Sequence, residues 1–116
     1  MRRFLLGYDM ETLILSKPIT TLAGEKVSEL HFNFENLCAI DYRNISRLES
    51  RLRGVAIESD VSLTKTASSE FRMATAWIAA VNHADNKVCL DDIDALSLQD
   101  LLELEKIGLF FIAGVE

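Results

Sequence analysis

From Leu98 to Ile112 the chain is apolar around most of a helical circumference, and that stretch limits what the remainder can do. At about 100° per residue, Leu98, Leu101, Leu102, Leu109 and Ile112 share one face, with Glu105 in its middle. Leu104, Ile107 and Phe111 fall on a second face, and Phe110 widens the apolar arc. Only Gln99, Glu103 and Lys106 form a polar sector. A helix that is apolar on two sides has to be covered on two sides. The chain has 116 residues, which is room for one domain spanning 1–116. Two readings follow. The helix is the central core element of that domain, or one of its faces stays open as an interaction surface.

The other elements decide how much cover exists. Thr12-Leu13-Ile14-Leu15 is a β-prone run, and Pro18, which has no N–H, is expected to end regular pairing. Ala23-Gly24-Glu25-Lys26 carries turn chemistry. Leu30, Phe32 and Phe34 then alternate with His31 and Asn33, so the run reads as a second strand with one apolar face. Together they predict a hairpin whose loop exceeds two residues.

The remainder predicts helices. Ile45, Leu48, Leu52 and Val55 recur at helical spacing, with Asp41 or Asn44 as cap and Gly54 as terminator. Ala67, Phe71, Ala74, Ile78 and Val81 form a second stripe, widened by Trp77, and the alanines at 74, 76, 79 and 80 permit close packing. A polar break over 82–87 and a short turn around Asp91 to Ala95 come next. Ser97-Leu98-Gln99-Asp100 resembles a capping box and opens the last helix. The fold class expected is α+β: an N-terminal β-hairpin followed by three or four helices in a small, mainly helical bundle.

Charge narrows the function. The net value is −6, which disfavours nucleic acid because phosphate requires a basic footprint. The distribution is uneven: four arginines and one glutamate lie between Arg43 and Arg53, whereas the stretch from Asp85 to Glu116 is strongly acidic. Arg43, Arg47 and Arg51 line one helix face and suit a protein partner or the chain's own acidic end. The longest apolar run, Leu109 to Ala113, is far short of the roughly 20 residues of a membrane span. Arg2 and Arg3 are followed only by Phe4, Leu5 and Leu6 before Gly7, so no secretory signal is read and cytoplasmic residence is expected.

No catalytic constellation emerges, and no enzyme, metal or cofactor is expected. His31 and His83 have no ligands at zinc spacing; His31 is read as solvent-facing and His83 as a helix-end cation. Cys38 and Cys89 are read as buried and structural. Asp91-Asp92-Ile93-Asp94 lacks the glycine and the closing glutamate of a calcium loop and is read as helix-terminus acids. The glycines are scattered, so no phosphate-cradling loop is present. These features describe a binding or assembly module.

The order of features resembles the tail assembly chaperone family of contractile-tailed phages. The matching residues are Leu15-Ser16-Lys17-Pro18-Ile19, then Gly24-Glu25-Lys26-Val27-Ser28-Glu29-Leu30, then Asp41 at a helix start. In the second half they are Glu70-Phe71-Arg72-Met73 before the alanine-rich helix, then Ile93, Leu96, Asp100 and a closing helix ending in Phe110-Phe111. The resemblance implies a non-catalytic protein of the host cytoplasm. Its implied partners are the tape measure protein and, beside it, the tail tube protein. Such chaperones are absent from the finished virion, and many also exist in a longer, frameshifted form. Self-association is expected, and Leu104, Ile107, Phe110 and Phe111 with Arg43, Arg47 and Arg51 are the expected partner-binding residues. The alternative is a small acidic chaperone of the secretion type holding an export substrate, a class richer in strand. A small enzyme with an unrecognised site is the third possibility.

Overall fold

The computed structural model describes residues 12–35, 37–54, 68–83 and 85–115. In chain order these form strands β1 (Thr12–Thr20) and β2 (Lys26–His31), helices α1 (Ala39–Arg53) and α2 (Ser69–Val81), a 3₁₀ helix (Leu90–Ala95) and α3 (Leu98–Val115). This is the α+β plan expected, a hairpin followed by helices. Val55 and Ala67, assigned above to helical stripes, lie outside the described residues.

The hairpin is antiparallel and turns through Thr21–Glu25, with Gly24 in the left-handed region at φ 92°. Thr21 closes the turn: its N–H donates to the Glu25 carbonyl at 2.8 Å, and its hydroxyl accepts from the Glu25 N–H at 3.0 Å. Pro18 does not end the strand. Pairing breaks after Ile14↔Glu29 and resumes at Ile19↔Val27, so Leu15 to Pro18 stand opposite Ser28 alone. The proline sits inside this bulge, where a missing N–H costs no ladder bond. The bulge also frees the Ser16 and Lys17 N–H groups for another partner. Leu15, Ile19, Val27 and Leu30 face inward, and Phe32 continues that face just past the strand.

The centre of the molecule is α2. Met73 to Ala80 are buried without interruption. The four alanines let neighbours approach from every side, and Trp77 fills the middle while its indole N–H donates to the Leu90 carbonyl at 3.0 Å. α1 and α3 both pack against α2. α3 is therefore not the central core helix, the first of the two readings above.

Three buried aspartates, each at the third position of a helix, tie the parts together. Asp41 accepts from the Cys38 N–H at 2.9 Å and from the Asn82 amide at the end of α2 at 3.1 Å. Neither Asp41 nor Asn44 is the cap of α1; Cys38 holds that place. Asp92 accepts from the Cys89 N–H and from the Leu22 N–H in the hairpin turn, both at 2.8 Å. Asp100 accepts from the freed Ser16 and Lys17 N–H groups at 2.8 and 3.3 Å. All three carboxyls lie below the ordinary aspartate value. For Asp41 the Cys38 N–H is the main cause. For Asp92 and Asp100 burial pushes upward, and their hydrogen bonds together outweigh it. A fourth tie is Asn86. Its side chain accepts from the His31 N–H and donates to the His31 and Ala80 carbonyls, standing in for a neighbouring strand on β2 and closing the end of α2.

Candidate functional site

α3 begins where the capping box was expected. The Ser97 hydroxyl accepts from the Asp100 N–H at 3.2 Å. The reciprocal half of the box is spent elsewhere, since the Asp100 carboxylate reaches across to β1. This docks the first turn of α3 against the bulge and sets the rotation of the whole helix.

That rotation turns the Leu104 face inward. Leu104 is fully buried, and Ile107 and Phe111 are half-buried. The Phe111 ring stacks on Phe34 at 4.5 Å between centroids, and Phe34 stacks on Phe32 at 6.0 Å. Leu104 is thus no partner-binding residue in the folded chain; the core needs it. Phe110 remains at the surface, 67% exposed. The leucines left outward belong to the opposite face: Leu98, Leu102 and Leu109 are 69%, 43% and 48% exposed. Periodicity shows that a helix has two apolar faces. Which one turns inward was set by Asp100, whose long-range bonds leave no local trace in the sequence.

Two contacts hold α3 to α2 along the edge of this outward face. Glu105 Oε2 accepts from Arg72 Nη2 at 2.7 Å and from the Ser69 hydroxyl at 2.9 Å. The Arg72 guanidinium, followed by the Ser69 hydroxyl, holds the Glu105 carboxyl below its usual range. One turn on, Gly108 is buried against the main chain of Arg72, and a Cβ there would run into that carbonyl. The helices meet this closely only because residue 108 has no side chain.

The basic face of α1 is divided. Arg51 binds Asp91 at 2.8 Å and Asp94 at 3.0 Å, so it serves the chain's own acidic segment. Arg43 and Arg47 are exposed and form no ion pair among the described residues. Cys38 and Cys89 are free and exposed rather than buried, because both stand at helix starts. His31 is half-buried rather than solvent-facing. Its ring lies 5.4 Å from that of His83, 3.3 Å from the Thr12 hydroxyl and 3.4 Å from Glu29. Among the described residues no group of three or more His, Cys, Asp or Glu side chains could hold a metal ion. No helix among them is long and apolar enough to cross a membrane.

What this arrangement offers is an apolar helix edge carrying one anchored ion pair. No family model matches the chain, and neither a curated protein nor a solved structure matches it.

Proposed function

We propose that this protein is a tail assembly chaperone of the contractile-tailed phage type, or its prophage counterpart. It binds the tape measure protein in the host bacterial cytoplasm, assists assembly of the tail tube around it, and is not retained in the virion. The reading rests on the order of features along the chain, and one structural observation carries it: the outward edge formed by Leu98, Leu102 and Leu109, with Phe110 beside it. A long tape measure helix presents apolar stripes that aggregate when uncovered. A helix edge of exposed leucines covers such a stripe by side-to-side packing. The role is non-catalytic, self-association belongs to the same reading, and Arg43 and Arg47 supply a separate basic face for an acidic partner surface. The small strand content, two strands against four helical segments among the described residues, favours this reading over the strand-richer secretion-type chaperone.

Co-expression with the tape measure protein of the same phage tests it. The tape measure protein should become soluble and co-purify with this chain. The double variant Leu102→Glu/Leu109→Glu should fold normally and lose that effect. Equal solubility of the tape measure protein with and without the chain would refute the reading.

A further inference from the structure

The outward residues of α3 follow a stricter pattern than exposure alone conveys. Leu98, Leu102, Glu105, Leu109 and Ile112 are separated by successive steps of four, three, four and three residues. This is the seam of a coiled coil, the spacing at which one helix lies along another with interlocking side chains. Leu98, Leu102 and Leu109 are exposed, Ile112 is half-buried, and Glu105 occupies the centre.

Glu105 is the informative member. Both of its hydrogen bonds within the chain use Oε2. Oε1 accepts none among the described residues, and the side chain is 23% exposed. Any helix laid along the seam would take this oxygen out of water. An apolar side chain set against it would leave a carboxylate oxygen buried without a donor, which is costly. A second copy of this chain is a poor occupant for the same reason. The steps on the two sides of residue 105 are unequal, so parallel in-register pairing of two copies sets Glu105 against its own image, and antiparallel pairing sets it against Leu102 or Leu109 of the second copy.

We propose that the partner seated on α3 is an amphipathic helix whose apolar stripe, at steps of three and four, is interrupted by one lysine or arginine that donates to Glu105 Oε1. This rests on the chaperone reading and narrows it: Glu105, held in place by Arg72 and Ser69, sets the register in which the partner helix binds. A single polar position within an otherwise apolar seam has this effect in coiled coils, favouring one alignment at some cost in affinity.

The test uses the full chain and four synthetic helical peptides of about three heptads, with leucine at the other seam positions. The centre is lysine, leucine or glutamate. The fourth peptide has leucine at the centre and its lysine on the solvent face, so its net charge equals that of the first. Binding is read by fluorescence anisotropy. The lysine-centred peptide should bind about tenfold more tightly than the leucine-centred and fourth peptides, with the glutamate-centred peptide weakest. Glu105→Gln should flatten that ranking. The peptide series decides the matter even if this variant folds poorly. Equal binding by all four peptides overturns the role of Glu105 and leaves the helix-binding reading in place. Failure of every peptide to bind overturns both. A dimer that dissociates on Leu102→Glu, with no peptide bound, puts a second copy on the seam and overturns the proposal.

Discussion

α2 and α3 are packed against each other, and their composition points the wrong way. α3 has 18 residues and is rich in leucine, isoleucine and phenylalanine, yet it lies at the edge. α2 has 13 residues, several of them alanine, and is buried on all sides from Met73 to Ala80. Large apolar side chains show how much surface a helix must hide. Small ones determine how many neighbours can reach it. α2 takes both α1 and α3 because its own alanines, and Gly108 in α3, leave room for them.

Substitutions can break this contrast, beginning with the centre. Trp77→Ala should cost about 4 kcal/mol in urea unfolding, through the cavity left and the lost bond to the Leu90 carbonyl. Leu109→Ala, a large-to-small substitution on the outward edge, should cost far less. If the two losses are comparable, α3 is as deeply buried as α2 and the contrast fails.

Asp100→Ala comes next, at about 3 kcal/mol, because the Ser16 and Lys17 N–H groups lose their acceptor. Its pH dependence follows from the lowered carboxyl value. A carboxyl depressed in the folded state contributes fully above the unfolded value near 3.8, and the contribution is lost as pH falls through the folded value. The stability gap between the native chain and Asp100→Ala should therefore be full at neutral pH and shrink below pH 3.8. A gap independent of pH would mean that the charge contributes nothing to the tie.

Gly108→Ala should cost about 2 kcal/mol, although alanine is intrinsically the better helix former, because the new methyl group collides with the Arg72 carbonyl. A thermal melt in which Gly108→Ala is stabilised would show that α2 and α3 do not approach this closely. The smallest effect is expected at Leu102→Glu, within about 0.5 kcal/mol, since its side chain is 43% exposed. A large loss of stability there would move the outward leucines into the core and remove the candidate surface.

Much of the fold was legible because it depends on local pattern. The turn at Gly24, the inward face shared by Leu30 and Phe32, the stop at Gly54 and the start at Ser97 are each specified within a few residues, although the strand expected over 30–34 runs from Lys26 to His31. The places where the fold departs from local pattern share one cause. Pro18 was expected to end β1, but Asp100, far along the chain, takes up the N–H groups that the bulge leaves free. Cys38 and Cys89 were expected inside, but each sits at an exposed helix start whose aspartate three residues later is the buried member. Leu104 was expected at an interface, but it is the residue that α3 turns into the core.

The amino-acid order alone determined that α3 has more apolar circumference than one contact can cover, because periodicity is a property of neighbouring residues. It could not determine which arc stays outside. That depended on rotation about the helix axis, which is set by Asp100 gripping the bulge of β1, by Glu105 paired with Arg72, and by Gly108 seated against the α2 backbone. Each of these joins residues distant in sequence, so only the folded chain brings them together.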